Sequence, residues 1–450
     1  MYRYTVEKLL DERVLTNVIN DFKINYVPRF DELEKYYNVK NKILGRYIEP
    51  PKPNNKLAHG FCKYITNMAT SYFIGKPIKY IIDGEENFKK ALTDILDSNY
   101  TDSMNFEIAK EMSKCGIAFE VLFFDKNRTL KSQKFTAKDI IPIYSDRIGE
   151  FLNAAVRLWS EKDVGQTENT EYAAVYTDSE IWTFKKQASK STYEFTDVRE
   201  HKFTDVPVLV YWNNEEQKGD YEDIITLVDA YDKTQSDTAN DFEYFTDAYL
   251  VISGAGGGIV SDNEEEQEKA SKNLREERIL YTEDGDARWL IKNINDTAVE
   301  NYKNRLYKDI FFLSQVPALS DESFSGNLSG VAIRYKLSAL EELAISKENK
   351  FRAAQQKKLK LLIDYINFGH SQPYDYKLVK QRYERNFIDN TSEIIEDVAK
   401  LEGVVSRQTQ LEMLPMVEDI QEEFEKIKQE KLDNENLPKT DYLFEGGLNG

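Results

Sequence analysis

The stretch from Ala298 to Phe368 constrains the fold more than any other part of the chain. Between Ala298 and Val316, apolar residues recur at steps of three and four, the spacing of one face of an α-helix. Pro317 ends this helix, because proline has no N–H group and disfavours helical geometry in the residue before it. Residues 318–329 hold four serines, a glycine and an asparagine around one aromatic side chain, which predicts a loop.

A much longer helix is predicted from Gly330 to Phe368, because this stretch holds no proline and, after Gly330, no glycine. At 1.5 Å per residue this helix would be roughly 55 Å long. A helix of that length cannot be covered by the core of a small domain, so it has to cross a large body or pack along neighbouring subunits. The order of helix, break, polar loop and long helix therefore predicts a scaffold with a projecting loop.

The composition indicates a large, folded, acidic protein. A chain of 450 residues is too long for one simple domain, and aromatic residues at 12% argue against disorder. Asp and Glu number 79 against 60 Lys and Arg, for a net charge of −19. Because proteins grip nucleic acid phosphates through lysine and arginine, such a chain is a poor candidate for tight DNA binding. It could still surround DNA without holding it.

Several function classes lack their motifs in this sequence. The two cysteines, Cys62 and Cys115, allow neither a disulfide framework nor zinc-finger spacing, which suits a reducing compartment. We expect no signal peptide and no membrane span, since no run of 18 or more apolar residues occurs. HExxH, G-x-S-x-G and P-loop motifs are missing, so we predict no enzyme activity, cofactor or metal site. Carboxylates that meet only in the fold could still bind Mg²⁺.

The rest of the chain predicts an α+β fold. Helical spacing extends to about residue 115, and short runs rich in β-branched and aromatic residues then predict strands between 117 and 211. The helical period returns from Asp220, a candidate N-cap, to Tyr249. The C-terminal part predicts a strand in 374–386 and helices between 390 and 430.

The segment between Tyr249 and Ala298 has a different character. It predicts strands at 248–252, 278–281 and 287–291, a glycine-rich turn at 254–258 and an acidic helix at 264–274. The glycine spacing is not that of a phosphate-binding loop. We therefore predict a small β-rich insertion between two helices.

These residues resemble the portal proteins of long-tailed bacteriophages. The resemblance is clearest where Pro317 and the Ser/Gly-rich loop lead into Ser329-Gly-Val-Ala-Ile-Arg-Tyr-Lys336. Tyr36-Tyr37, Tyr72-Phe-Ile-Gly-Lys-Pro-Ile78, the pair Arg385-Asn386 and the pattern between Gly403 and Asp419 are similar to further segments of that family. The resemblance extends from about residue 30 to about residue 430.

The resemblance implies an α+β portal architecture, with long helices in the stem and wing, a mixed β-rich wing, a small α/β clip and a helical crown. The implied segments are the N-terminal wing (1–219), first stem helix (220–252), clip (253–297), second stem helix (298–317), tunnel loop (318–329), the rest of the wing with the long helix and a return strand (330–388), crown (389–432) and a disordered tail (433–450).

The resemblance also implies a function. Portal proteins form a ring, typically of twelve subunits, at one capsid vertex, and the ring conducts double-stranded DNA during packaging and ejection. The implied partners are the ATP-driven terminase, head–tail connector or neck proteins, and capsid and scaffold proteins, with no membrane involved. The implied locations are the portal vertex of the virion and, during assembly, the host bacterial cytoplasm.

The candidate site residues lie in the implied tunnel loop and second stem helix. The loop would border DNA with Ser320, Asp321, Glu322, Ser323, Phe324, Ser325, Gly326 and Asn327. Its two carboxylates would repel phosphate, whereas Lys303, Arg305 and Lys308 could attract DNA if they face the channel. Two alternatives remain open, namely that the loop is an ordinary connector and that the chain is an oligomeric helical virion or scaffold protein with no DNA-conduit role.

Overall fold

A computed structural model describes residues 2–435, apart from 51, 83–84, 146, 150, 162–168, 246–248, 254–278, 283–287, 291–295, 320–329, 369–372, 387–390, 415–416 and 418–419. The chain divides into two units. The first contains residues 1–321 and 336–386, and the second contains residues 322–335 and 387–450.

Helices make up about half of the described chain. In order they are α1 (Val6–Leu9), α2 (Glu12–Asn25), α3 (Val27–Tyr37), α4 (Phe61–Ile74), α5 (Glu86–Ser98), α6 (Thr101–Cys115), α7 (Ile225–Phe245), α8 (Asp296–Leu313), α9 (Gly330–Lys336), α10 (Ser338–Ile366), α11 (Thr391–Lys400), α12 (Arg407–Glu412) and α13 (Ile420–Glu435). Short 3₁₀ helices cover Lys42–Gly45, Glu222–Ile224 and Tyr376–Leu378.

The strands in the described part of the chain form four sheets, all in the first unit. They are β1 (Tyr2–Arg3), β2 (Lys79–Ile81), β3 (Ile117–Phe124), β4 (Leu130–Phe135), β5 (Ile140–Tyr144), β6 (Leu152–Glu161), β7 (Thr170–Tyr176), β8 (Glu180–Lys186), β9 (Glu194–Glu200), β10 (Val208–Trp212), β11 (Tyr249–Ser253), β12 (Ile279–Thr282), β13 (Arg288–Leu290) and β14 (Lys380–Arg382). The orders are β1-β5-β6-β7-β8-β9, β10-β3-β4, β12-β11-β13 and β14-β2.

Two apolar cores stabilise the first unit. In one, the amphipathic helix α2 buries Leu15, Ile19 and Phe22 together with Val156 and Val175, which face each other on β6 and β7. In the other, α10 buries its apolar side chains together with those of α4, α5, α6, β3 and β10. The mixture of helices and sheets confirms the α+β prediction. No described helix is both long enough and apolar enough to span a bilayer.

The buried face of α10 also carries two cations. Lys358, with 2% of its side chain exposed, lies 2.7 Å from the fully buried Glu120 carboxylate on β3. Tyr211 donates a hydrogen bond to the other Glu120 oxygen at 2.7 Å, and burial with this carboxylate raises the pKa of Tyr211. Because an unpaired buried charge is costly, these contacts determine where α10 lies on the sheet.

Lys347 makes the second buried ion pair. Its ammonium group contacts Asp220 Oδ2 at 2.5 Å and Ser113 Oγ at 2.5 Å, with both charged side chains almost fully buried. The prediction that Asp220 caps a helix was therefore wrong, since its carboxylate instead neutralises Lys347 and accepts a hydrogen bond from Asn213. The helix that follows is the 3₁₀ turn Glu222–Ile224 and then α7.

The prediction of one continuous helix from Gly330 to Phe368 was wrong. Helical structure stops at Leu337, whose φ of −92° and ψ of 0° lie in a region typical of turns, and α10 begins at the next residue. Leu337 is buried, and neither glycine nor proline marks the break. A periodic apolar pattern does not report such a break.

The strand predictions were mostly confirmed between 117 and 211, but β4 and β9 were missed. Both carry mostly polar side chains at exposed or half-buried positions, so they lack an apolar pattern. The strand predicted in 374–386 is reduced to β14, and a 3₁₀ turn precedes it. Asp375 initiates that turn by accepting a hydrogen bond from Lys377 N.

An extended segment, residues 54–59, lies antiparallel along α7, and we call it the arm. Alternate backbone N–H groups of the arm donate to polar side chains spaced one turn apart on the buried face of α7. The bonds join Asn55 N to Asn240 Oδ1 (2.7 Å), Leu57 N to Ser236 Oγ (2.9 Å) and His59 N to Asp232 Oδ1 (3.0 Å). Asp232 also accepts from the His59 ring and the Asn41 amide. This contact explains why the middle of α7 is polar.

Replacing Lys358 with methionine should lower the free energy of unfolding by about 3–5 kcal/mol, because Glu120 would keep its charge without a cation. The double variant Lys358→Met/Glu120→Gln should recover most of this loss, since no buried charge remains. Urea unfolding followed by intrinsic fluorescence measures both effects. Equal destabilisation of the single and double variants would contradict the interpretation.

Replacing Asp232 with alanine should lower the free energy of unfolding by about 3 kcal/mol, because buried donors of His59 and Asn41 would lose a charged acceptor. Asp237, one turn further along α7, is half exposed and pairs with Arg46. The matched control Asp237→Ala should therefore cost about 1 kcal/mol or less. Thermal and urea unfolding of the two variants compare the costs directly, and similar values for both would argue against the arm contact.

Candidate functional site

The helices predicted as a stem, α7 and α8, pack against each other and flank a small sheet. In that sheet β11 pairs parallel to β12 and antiparallel to β13. These strands match the three predicted in the segment between the helices. The predicted glycine-rich turn at 254–258 and acidic helix at 264–274 lie outside the described residues.

An aromatic cluster joins α4, α7 and α8, and we define it as Phe61, Tyr64, Tyr231, Tyr307 and Phe311. Phe61 lies at its centre, with ring centroids 5.0 Å from Tyr231, 6.1 Å from Tyr307 and 5.8 Å from Phe311, all in edge-on geometry. Edge-to-face pairs of this kind stabilise a fold by more than the burial of their apolar surface alone would. The cluster therefore fixes α8 against α4 and α7.

The faces of α8 separate the three candidate cations. Lys303 lies on the buried face with Leu306 and Ile310, and its ammonium contacts Glu300 at 2.8 Å. Arg305 and Lys308 are exposed on the opposite face. Within the described part of the chain neither makes an ion pair. The structure therefore separates the buried Lys303 from the two exposed cations, while the predicted contact of any of them with DNA stays a prediction.

The segment after α8 leads towards the predicted loop. α8 ends at Leu313, and Gln315 has a φ of 59°, the left-handed geometry of a tight turn. Val316 and Ala318 are buried, whereas Leu319 is exposed. Loop residues Ser320, Asp321, Glu322, Ser323, Phe324, Ser325, Gly326 and Asn327 lie outside the described residues, so their role stays a prediction.

One hydroxyl group holds this segment. Tyr64 on α4 donates a hydrogen bond to Pro317 O at 3.1 Å and accepts one from Leu319 N at 3.1 Å. Its ring meets Phe311 edge-on, with centroids 5.6 Å apart and planes at 88°. The Tyr64 side chain thus attaches Pro317 and Leu319 to α4.

The pair Arg385-Asn386 fastens the chain that follows α10. Arg385 forms ion pairs with Glu341 at 3.0 Å and Glu348 at 2.8 Å, both on α10. Asn386 N donates to Tyr72 O, and the Asn386 side chain packs so closely on Gly75 that a Cβ there would meet it at 2.4 Å. Two segments that carried the resemblance, 72–78 and 385–386, are therefore in contact.

No group of three His, Cys, Asp or Glu side chains is placed to hold a metal ion in the described part of the chain. Both cysteines are buried, and burial raises the pKa of Cys62 to about 12. At neutral pH this thiol is protonated and a poor nucleophile.

The sequence patterns did not reveal the arm contact or the aromatic cluster. The aromatic residues of the cluster occupy ordinary helical positions in three separate helices. The polar residues on α7, one turn apart, were a usable signal, because a buried stripe of Asp, Ser and Asn requires hydrogen-bond donors opposite it. The identity of those donors, backbone N–H groups 170–190 residues earlier, depends on the tertiary fold.

Comparisons with known proteins show the family to which this chain belongs. The family model described as "Phage portal protein, SPP1 Gp6-like" matches residues 17–436. The portal protein of Clostridium phage phiCD119 is 27% identical over 438 residues, which cover 91% of this chain and 94% of the relative. The portal protein of Bacillus phage SPP1 is 24% identical over 445 residues, which cover 94% of this chain and 86% of the relative. The chain therefore belongs to the SPP1 Gp6-like family of phage portal proteins.

Proposed function

We propose that the chain forms a closed ring of twelve subunits at one capsid vertex, through which double-stranded DNA enters and leaves the head. The observation that carries the proposal is the family match, which extends over residues 17–436 and so includes every predicted segment except the tail. A head-to-tail contact between subunits closes into a ring when its rotation divides a full turn. The role of a portal protein requires such a hole.

We assign the parts of the ring from the order of elements. α7 and α8 form the stem, and the sheet β12-β11-β13 between them belongs to the clip. Residues 318–329 form the tunnel loop, α10 and the larger sheets form the wing, and α11 to α13 form the crown. The stem assignment is supported by the packing of α7 against α8, and the wing assignment by the packing of α10 against α4, α5 and β10, all within the first unit.

The charges suit a conduit that does not retain DNA. Asp321 and Glu322 in the tunnel loop repel phosphate, and the exposed Arg305 and Lys308 of α8 supply a limited attraction. Lys303 contributes little, because it is buried and paired with Glu300. Tight binding would require many more cations, since affinity for DNA grows with the number of phosphates neutralised.

The partners follow from the same role. The sequence contains no P-loop, so a separate ATP-driven terminase has to move the DNA. The clip would contact terminase during packaging and connector or neck proteins afterwards, while the wing would contact capsid and scaffold proteins. Assembly would take place in the host bacterial cytoplasm and end in the virion.

Negative-stain electron microscopy of the purified chain, with light scattering for mass, tests the ring directly. We expect rings with a central channel wide enough for a DNA duplex and a mass near twelve times 52.4 kDa. Co-expression with the scaffold protein is included, because some rings close only in its presence. Filaments, or a compact dimer without a hole, would exclude the DNA conduit and favour the alternative of a helical virion or scaffold protein.

Deleting residues 320–328 should leave the ring intact but reduce DNA packaging or retention, because the proposed border of the channel would be lost. The matched control replaces the same residues with an equal number of glycine and serine residues, which preserves length and removes the side chains. Nuclease-protected DNA in phage particles made with each variant is the measurement. Normal amounts of protected DNA in both variants would show that the loop is an ordinary connector.

A further inference from the structure

The Tyr64 hydroxyl uses its full hydrogen-bonding capacity on the segment that follows α8. It donates to Pro317 O and accepts from Leu319 N, both at 3.1 Å, so it links two backbone groups on either side of Ala318. Among the described residues, no backbone–backbone hydrogen bond reaches either of these groups. The phenol therefore supplies what a turn or a strand neighbour would otherwise provide.

The segment has few other restraints that could replace this one. Pro317 has no N–H group, and Gln315 adopts the left-handed conformation that ends helical hydrogen bonding. Val316 and Ala318 point into the protein, with 1% and 9% exposure, which holds the segment by packing. Leu319, at 45% exposure, is held on its backbone by Tyr64 alone among the described contacts.

The support behind Tyr64 is rigid. Its helix α4 buries Phe61, Cys62, Ile65 and Phe73 and packs against α6 and α10. The Tyr64 ring itself is fixed by its edge-on contact with Phe311 in the aromatic cluster. A displacement of Leu319 would therefore break hydrogen bonds to a fixed group rather than move that group along.

We propose that Tyr64 is a positioning residue, whose hydroxyl fixes residues 317–319 to α4 and so determines where the tunnel loop begins. The importance of this anchor for DNA rests on the proposed function of the loop. The anchor itself is a property of one hydroxyl and two backbone groups. Its loss should release the end of the segment without unfolding the protein.

Tyr64→Phe is the direct test, because it keeps the ring and removes only the hydroxyl. A nitroxide at Leu319→Cys reports local motion, and the buried native cysteines leave the introduced thiol as the reactive one. We expect Tyr64→Phe to narrow the electron paramagnetic resonance spectrum of this label, while the thermal midpoint shifts by no more than about 2 °C. A label at Lys308→Cys on α8 should not change.

Tyr37→Phe is the matched control. The Tyr37 hydroxyl also contacts α4, at Asn67 Oδ1, but it has no bond to residues 317–319. Tyr37→Phe should therefore leave the spectrum of the label at residue 319 unchanged. An unchanged spectrum in Tyr64→Phe, or equal narrowing in both variants, would overturn the proposal.

Protected DNA in phage particles separates this proposal from the function of the loop. If Tyr64→Phe frees the label and reduces protected DNA towards the level of the 320–328 deletion, both proposals are supported. If Tyr64→Phe frees the label while this variant and the 320–328 deletion both package DNA normally, the anchor is supported and the proposed DNA role of the loop is contradicted. If the deletion impairs packaging but Tyr64→Phe leaves the label immobile, the loop function stands and the anchor fails.

Discussion

In the first unit, the position of α10 depends on two of its lysine ammonium groups, which are buried away from water. Lys347 and Lys358 lie three turns apart on α10, and their partners, Asp220 and Glu120, come from distant parts of the chain. Separating either pair would leave a buried charge unneutralised. Because the two pairs are about 16 Å apart along the helix axis, α10 cannot slide or rotate without breaking at least one. Apolar packing alone would tolerate such movements better.

The ion pair at Asp220 also links α10 to the segment that leads into α7. Further along α7, the arm makes hydrogen bonds to its polar side chains. Four helical residues advance about 6.0 Å along the axis, and two extended residues advance about 6.6 Å. Polar side chains one turn apart can therefore meet alternate N–H groups of an antiparallel segment over three successive contacts with little drift. This match allows a helix to serve as the hydrogen-bonding neighbour of an extended chain. It also requires α7 to be polar on a buried face, the reverse of an ordinary amphipathic helix.

Sequence patterns predicted those elements whose apolar period reports burial. Helices α5 and α6 and the strands β3, β5 and β10 follow from such periods. The helix predicted to end at Val316, before Pro317, ends three residues earlier at Leu313. The patterns failed where the role of a residue depends on a partner that is distant in the sequence. Asp220 has the chemistry of a helix cap but pairs with Lys347, and neither glycine nor proline marks the break at Leu337. The strands β4 and β9 were missed because their mostly polar side chains carry no apolar alternation.

The candidate site was predictable in outline only. The two helices and the small sheet between them follow from sequence order, but the sequence could not tell that Lys303 is buried while Arg305 and Lys308 are exposed. The difference follows from the helical period once the buried face of α8 is known, since positions 303, 306 and 310 share one side. Tyr64 could not be connected to Leu319 from the sequence, because 255 residues separate them.

The separation of these charges bears on how a strongly acidic protein could conduct DNA. In a ring each exposed residue is repeated in every subunit, so Arg305 and Lys308 would add two positive charges per subunit, and Asp321 and Glu322 two negative ones. If both sets line the channel, they cancel in number. Salt screens charges over about 8 Å at physiological ionic strength, so each exposed cation would attract only nearby phosphates. Such a lining limits the number of phosphates neutralised at once, and therefore the counterion release that would make DNA adhere.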